Sequence, residues 1–296
     1  MRDSHLVEWT VVVEKVSVCG YPDLVDGNGR FKEERMLELN LEGKVALVTG
    51  GSEGIGKGVA WKLAEEGCSV AICARRDDVL QAAAQEIRDA TDGAVLAVQA
   101  DVTKAEDIDR FVSTAIETYG GVDILVNNAG RSAGFPFEDA TDEIWLEDFD
   151  LKFWAAVRGS RSALPSMKER GGGSIINVTH PGGKAPGGGS VPTSISRAAG
   201  IAFTKALSHD CASYGIRVNT VCLTNIKTAQ GVRAWEGSGS DLSYDAWCEE
   251  QGKDIPLGRL GEASEVGDLV AFLVSERAGF ITGASVNIDG GTSHVV

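Results

Sequence analysis

The sequence has no long hydrophobic run. Its longest apolar stretches, such as residues 45–48, have the length of a single β-strand, whereas a helix that crosses a membrane needs about 20 apolar residues. We therefore expect no segment that spans a bilayer and no membrane partner.

Basic residues are scarce. The 296 residues include 28 Lys and Arg against 43 Asp and Glu, which gives a formal net charge of −15. An acidic chain repels a phosphodiester backbone, and no cluster of Lys and Arg is long enough to bind one. The charge pattern therefore argues against nucleic acid as a partner.

Closely spaced cysteines are also lacking. The six cysteines are scattered without a C-x-x-C pair, and several lie inside apolar stretches. This usage favours small buried thiols in a reducing compartment, and we predict no metal site. The N-terminus shows no export pattern of charged, apolar and small residues, so we expect a cytoplasmic protein.

From residue 44 onward, short β-branched runs alternate with longer amphipathic segments, which is typical of βα units that build a parallel sheet. Strands are predicted at 44–49, 69–74, 95–100, 122–126, 174–179, 216–221 and 285–288. Helices are predicted at 55–66, 77–90, 104–119, 143–170, 193–214 and 262–275. The pattern predicts an α/β fold with a single doubly wound (Rossmann) parallel sheet of about seven strands and helices on both faces.

Two regions depart from this alternation. Residues 1–40 are predicted to be an N-terminal extension of unknown role, ahead of a Rossmann domain at 41–296. Residues 225–256 form a long region that carries Trp235, Tyr244 and Trp247. Long loops of this kind are commonly lids, so we predict a lid here. Surface elaboration, with the aromatic rings packed on the sheet, is the alternative.

The first predicted strand ends in a glycine-rich turn that leads directly into a helix. Glycines at 50, 54 and 56 permit a tight turn, close approach of the backbone to a diphosphate, and close packing of helix on strand. We therefore predict that this turn binds a dinucleotide. The residues assigned to it are Gly50, Ser52, Glu53, Gly54, Ile55 and Gly56.

The end of the second predicted strand indicates which dinucleotide is bound. A carboxylate that would hold an adenosine ribose 2′-hydroxyl is absent there, and Arg75 and Arg76 stand in its place. Guanidinium groups suit a 2′-phosphate, so NADP(H) is favoured over NAD(H). A solvated charge pair at the start of a helix is the alternative.

Four motifs, taken in order, resemble the short-chain dehydrogenase/reductase family. They are the glycine-rich turn, Asp101-Val102, Asn127-Asn128-Ala129-Gly130 and Ile288-Asp289-Gly290-Gly291. The resemblance covers about residues 41–292 and implies one Rossmann sheet, assembled as a homotetramer or a homodimer. It also implies that Asp101 contacts adenine and that Asn128 supports the strand and the cofactor. By position, it extends the cofactor site to Val102, Ala129, Gly130, Arg197, Ile226 and Thr228.

The catalytic positions depart from this family. Its members use a Tyr to transfer the substrate proton, a Lys four residues later, a Ser thirteen residues earlier and often an Asn on the preceding helix. The register puts His180 at the Ser position, Thr193 at the Tyr position, Arg197 at the Lys position and Lys152 at the Asn position. No shift of register restores the tyrosine, because none of the four tyrosines lies between residues 128 and 199.

The resemblance therefore implies an NADP(H)-binding oxidoreductase that acts on a carbonyl or alcohol with a non-standard proton donor. We assign that role to His180, because its ordinary pKa of about 6.5 suits proton transfer near neutrality. The unactivated hydroxyl of Thr193 is a poor acid. Lys152 and Arg197 would provide electrostatic support for a small-molecule substrate that is anionic or partly apolar.

Two other functions remain open on the same scaffold. One is a lyase, isomerase or cyclase, and the other is a catalytically silent nucleotide-binding protein. A purely structural interpretation also stands: His180 would cap a strand end, Lys152 would point to solvent and Arg197 would pair with a carboxylate.

Overall fold

The computed structural model describes residues 38–295. Within them, the strands lie close to the positions that the sequence predicts. In chain order they are β1 (Val45–Thr49), β2 (Ser69–Ala74), β3 (Val95–Gln99), β4 (Ile124–Asn127), β5 (Gly134–Phe135), β6 (Gly173–Thr179), β7 (Val191–Pro192), β8 (Ile216–Leu223) and β9 (Ser285–Ile288).

Seven of these strands form one sheet in the order β3-β2-β1-β4-β6-β8-β9. Every neighbouring pair in it is parallel. The strand order reverses direction between β1 and β4, which leaves a crevice at the carboxyl ends of the strands. β5 and β7 form a separate antiparallel pair. The sheet confirms the predicted Rossmann fold, whereas the small β5-β7 pair was not predicted.

The helices of the described residues lie between these strands. They are α1 (Gly54–Glu65), α2 (Asp77–Thr91), α3 (Ala105–Tyr119), α4 (Asp142–Phe149), α5 (Ala155–Glu169), α6 (Thr193–Cys211), α7 (Ala229–Gly237), α8 (Tyr244–Gly252) and α9 (Ala263–Val274).

Apolar side chains bury both faces of the sheet, because alternate residues of a strand point to opposite sides. In β1, Val48 joins a cluster with residues of α1, α2 and α9. The preceding Leu47 joins a second cluster with residues of α3 and α5. The continuous apolar runs in the sequence therefore mark strands covered by helices on both sides.

One predicted helix is wrong in its continuity. The sequence predicts a single helix at 143–170, but α4 and α5 are separated by a π-helical segment at Asp150–Trp154. A π-helical turn fits one extra residue into an otherwise regular helix, and an amphipathic pattern does not reveal so small a change. The remaining predicted helix boundaries differ from the structure by at most three residues.

For two other regions, the sequence predicts less detail than the structure shows, or the region lies outside the described residues. Residues 225–256, predicted as a long lid, contain α7 and α8. The extension predicted at 1–40 lies outside the described residues up to position 37. Among the described residues, no helix is long and apolar enough to cross a membrane.

Candidate active site

The glycine-rich turn connects β1 to α1 at the crevice. Gly50 and Gly54 have φ angles of 67° and 54°, a region that favours glycine. A Cβ atom at Gly56 would collide with the carbonyl oxygen of Gly50. Glu53 precedes α1 but makes no side-chain hydrogen bond to its first turn, so the first N–H groups of α1 are left for another acceptor.

The end of β4 is fixed against this turn. Asn128 Nδ2 donates to the carbonyl oxygens of Thr49 and Gly50, at 2.9 and 3.2 Å. Thr49 Oγ1 in turn accepts hydrogen bonds from the backbone N–H groups of Asn128 and Ala129, at 3.0 and 3.1 Å. These bonds hold the two strand ends on either side of the crevice in one arrangement.

The polar side chains that follow β2 and β3 differ in their hydrogen-bond and ion-pair partners. Arg76 is exposed and forms an ion pair with Glu53 of the glycine-rich turn. Arg75 is exposed. Asp101 Oδ1 accepts hydrogen bonds from the backbone and the hydroxyl of Thr103, at 3.1 and 2.8 Å.

Residues after β8 complete this part of the crevice. Thr228 precedes α7, and its hydroxyl accepts a hydrogen bond from the backbone of Gly231 at 3.3 Å. A Cβ atom added at Gly54 would lie 3.4 Å from Thr228 Cβ, so Thr228 is beside the glycine-rich turn. Ile226 forms a backbone bridge with Gly261.

At the other end of the crevice, Lys152 is buried. It lies in the π-helical segment, and its side chain is 3% exposed. Its ammonium forms an ion pair with Asp148, whose side chain is 1% exposed, and donates to Thr193 Oγ1 at 2.6 Å. Lys152 therefore contacts Thr193 and does not point to solvent, contrary to the structural alternative.

Asp148 uses both of its carboxylate oxygens in this cluster. Oδ1 accepts from Lys152, and Oδ2 accepts from the hydroxyl of Ser196 at 2.5 Å. Ser196 lies one turn after Thr193 on α6, so the carboxylate connects α6 to the π-helical segment.

Arg197 lies beside Lys152 and pairs with no carboxylate of the residues that the structure describes. Its NH1 donates to the carbonyl oxygen of Val178 at 2.8 Å. Its Nε is removed from solvent and has no hydrogen-bond partner within residues 38–295. A Cβ at Gly130 would lie 3.2 Å from its NH2, so the guanidinium lies close to the loop after β4.

His180 follows β6 directly. Its Nδ1 accepts a hydrogen bond from the backbone N–H of Gly182 at 2.8 Å. The ring thus caps a short turn, as the structural alternative expected, but it also lies near the two cations. His180 is exposed to solvent, yet partial desolvation of its ring and the charges of Arg197 and Lys152 all lower the pKa of His180 below its ordinary value.

The charges of this cluster also act on Lys152. Burial lowers its pKa from the ordinary value of 10.5, and the positive charges of Arg197 and Arg131 lower it further. The ion pair with Asp148 raises it and offsets these effects only in part, so the pKa of Lys152 is about 8. The group can therefore gain or lose a proton near neutral pH.

The aromatic rings of residues 225–256 pack against one another. The Tyr244 ring lies 5.7 Å from the Trp235 ring and 6.2 Å from the Trp247 ring, measured between centroids. Trp235 Nε1 also donates to the carbonyl oxygen of Leu242 at 2.9 Å. These contacts join α7 to α8.

Comparison with known proteins identifies the family. A family model described as enoyl-(acyl carrier protein) reductase matches residues 50–293. Dehydrogenase/reductase SDR family member 4 of Homo sapiens is 35% identical over 257 residues, which cover 85% of this chain and 88% of that protein. The chain belongs to the short-chain dehydrogenase/reductase family.

Solved structures of this family superimpose on the chain. The L-sorbose reductase of Gluconobacter frateurii, complexed with NADPH and L-sorbose, is 31% identical, with a TM-score of 0.83. The match covers 88% of this chain and 100% of that one. An NADPH-bound short chain oxidoreductase of Pseudomonas aeruginosa PAO1, described as containing an atypical catalytic center, is 33% identical, with a TM-score of 0.79. That match covers 86% of this chain and 98% of the other.

Family membership makes the chain an oxidoreductase with a Rossmann fold. Its structure brings together Lys152, Thr193 and Arg197, with His180 near them. The sequence reasoning missed Asp148 and Ser196, although one signal for Asp148 was present. Asp148 precedes Lys152 by four residues, the spacing at which opposite charges meet on one side of a helix.

Proposed function

We propose that the chain catalyses the NADP(H)-dependent reduction of a small carbonyl compound, and the reverse oxidation of the alcohol. The observation that carries this proposal is the pair of cations Lys152 and Arg197, with His180 beside them, in the crevice that also contains the glycine-rich turn. A positive cluster stabilises the negative charge that develops on a carbonyl oxygen when hydride is added to its carbon. The proposed substrate is anionic or partly apolar.

The residues of the crevice fit NADP(H). The turn from Gly50 to Gly56 has no room for a side chain at Gly56. It also leaves the first N–H groups of α1 available to a diphosphate. Exposed Arg75 would contact a 2′-phosphate. The unpartnered Nε of Arg197 would donate to the nicotinamide ribose. NADPH, when bound, supplies the hydride, and the protein supplies orientation and the proton.

Asp101 and Val102 are proposed to contact adenine. Asn128, Ala129 and Gly130 would line the cofactor on the side of β4. Ile226 and Thr228 would do so on the side of β8. Residues 225–256 are proposed to cover the substrate, since α7 begins beside the glycine-rich turn.

Several predictions of the sequence remain predictions. These are the assignment of the proton donor to His180, assembly as a homotetramer or a homodimer, and a cytoplasmic location. The preference for NADP(H) over NAD(H) rests on the two arginines after β2, of which Arg76 is already paired with Glu53.

The test is turnover with a panel of small ketones, aldehydes and keto acids, each supplied with NADPH or NADH. We expect oxidation of NADPH with alcohol formed in equal amount. Arg197→Met should lower kcat/KM by about 10- to 100-fold, the effect of losing a hydrogen bond from a charged group. Arg161→Met, on the exposed surface of α5, serves as the matched control.

The same experiment separates the alternative functions. A lyase, isomerase or cyclase would form product with no change in the absorbance of the nicotinamide. A silent nucleotide-binding protein would bind NADPH and convert no compound of the panel. Either result would contradict the proposed reduction.

A further inference from the structure

We propose that Lys152 supplies the proton for this reduction through the hydroxyl of Thr193, and that Asp148 and Ser196 position Lys152 for this step. The inference rests on the proposed function and deepens it. It assigns the role of proton donor to Lys152, which is more deeply buried than His180.

The first argument is the hydrogen bond from Lys152 to Thr193, which is the more exposed of the two residues. Lys152 is almost completely buried, whereas Thr193 is half-buried. The Lys152 ammonium donates to Thr193 Oγ1 at 2.6 Å. Because that oxygen accepts from Lys152, its own proton is free to point elsewhere. The hydroxyl can therefore donate to a substrate oxygen while it receives a proton from behind.

The second argument is the hydrogen bond of His180. A backbone N–H is always a donor, so the Nδ1 of His180 that accepts from Gly182 carries no proton. The neutral ring then bears its hydrogen on Nε2. Protonation of Nδ1 would place two N–H donors against each other and break the hydrogen bond from Gly182. The cations Arg197 and Lys152 also disfavour a charged ring. His180 is thus suited to orient a carbonyl by a hydrogen bond, the part played by Ser in the family.

The third argument is the charge environment of Lys152. The charged and titratable groups that face it are Asp148 on α4, Arg131 after β4, His180 after β6 and Arg197 on α6. Burial and the two arginines favour release of a proton, and Asp148 opposes it. The resulting pKa of about 8 suits a general acid near neutral pH, since catalytic efficiency is greatest when the pKa lies near the working pH.

The fourth argument is that stability does not account for this ion pair. Removing two charges from water costs about as much as their attraction returns, and apolar replacements of buried pairs are often neutral or stabilising. Asp148 has both oxygens occupied, by Lys152 and Ser196. This arrangement fixes the ammonium at one point, 2.6 Å from Thr193, which is what proton transfer requires.

The proposed step balances in atoms and charge. Hydride from the reduced nicotinamide adds to the carbonyl carbon, and the C=O π electrons move to oxygen. That oxygen takes the hydroxyl proton of Thr193, and Thr193 Oγ1 takes a proton from the Lys152 ammonium. The products are the alcohol, oxidised NADP and neutral Lys152, which regains a proton from water.

The experiment compares the pH dependence of kcat for the wild-type enzyme and its variants, with NADPH and a carbonyl from the panel. Because the acid must be protonated, wild-type reduction should fall tenfold per pH unit above an apparent pKa near 8. Lys152→Arg keeps the charge but does not release its proton near neutral pH, so kcat should fall by about 100-fold or more. The decrease of kcat above pH 8, the alkaline limb of the profile, should also vanish. Lys168→Arg, the same substitution at an exposed position of α5, is the control.

Variants of Thr193 and His180 test the path. Thr193→Ser keeps the hydroxyl and should retain kcat within a few-fold. Thr193→Val keeps the shape but removes the hydroxyl, so its kcat should fall as far as that of Lys152→Arg. His180→Gln keeps a hydrogen-bond donor that cannot titrate. It should lower kcat but leave the alkaline limb in place.

A readout without turnover is the NMR titration of the Lys152 Cε resonance in the enzyme saturated with NADP⁺, assigned by its loss in Lys152→Arg. We expect a midpoint near pH 8 and a lower midpoint in Asp148→Asn. Wild-type kcat in Lys152→Arg, or an alkaline limb that disappears only in His180→Gln, overturns the relay while the reduction stands. A wild-type enzyme that binds NADPH and reduces nothing overturns both proposals.

Discussion

At the cofactor end of the crevice, the decisive contacts involve the backbone. Asn128 donates to the carbonyl oxygens of Thr49 and Gly50, and a Cβ at Gly56 would collide with the second of these oxygens. At the reaction end, the contacts join charged and polar side chains of α4, the π-helical segment and α6. Backbone geometry tolerates few residue types, whereas a side-chain cluster can be exchanged as a set. The glycine-rich turn is therefore the more constrained of the two ends.

The largest expected effect is on the backbone-determined end. Gly56→Val should abolish NADPH binding, because the side chain would occupy the position of the Gly50 carbonyl group. Isothermal titration with NADPH measures this. Gly187→Val is the control, since no heavy atom lies within 4 Å of a Cβ there. Normal binding by Gly56→Val would contradict a backbone-determined cofactor site.

The next effect concerns the stability of the side-chain cluster. Asp148→Asn should lower the free energy of unfolding by about 3–5 kcal/mol, because it leaves the buried Lys152 charge without a counterion. The double variant Asp148→Asn with Lys152→Met should recover most of that loss. Urea unfolding of the three proteins measures it.

An exposed ion pair serves as the matched control for that experiment. Glu250→Gln removes one partner of the Lys253 pair on the surface and should change the free energy of unfolding by no more than about 1 kcal/mol. Equal losses in Asp148→Asn and Glu250→Gln would mean that the ion pair of Lys152 and Asp148 is not desolvated.

The smallest effect separates the two arginines of the cofactor end. Arg75→Ala should weaken NADPH binding by about tenfold, the low end of the value of a hydrogen bond to a charged group, and leave NADH binding unchanged. Arg76→Ala should weaken it less, because Arg76 is already engaged by Glu53. Dissociation constants for both cofactors measure this. If Arg75→Ala weakened NADH binding as much as NADPH binding, Arg75 would not contact the 2′-phosphate.

The sequence predicts the position of the glycine-rich turn well because the signals for it are local. The glycine-rich turn is a continuous stretch, and the alternation of β1 and α1 gives its position in the sheet. The predicted doubly wound parallel sheet is confirmed, and β2 and β9 have the predicted bounds.

The reaction end was predicted only in outline. The register names Lys152, Thr193 and Arg197 as candidates, but it does not predict the contacts that the structure shows among these side chains. Lys152 and Thr193 are separated by 41 residues, and Asp148 and Ser196 by 48. Contacts of this kind depend on the crossing of two helices and on the π-helical segment, neither of which a periodic pattern encodes.

The π-helical segment Asp150–Trp154 changes the phase of the long helix between its two ends. α5 packs Ala163 and Met167 against the sheet, while α4 directs Asp148 into the cluster. A continuous α-helix would couple these two orientations, so that turning one face would turn the other. The extra residue uncouples them, and the chemistry of α4 is therefore free to diverge without repacking the core beneath α5.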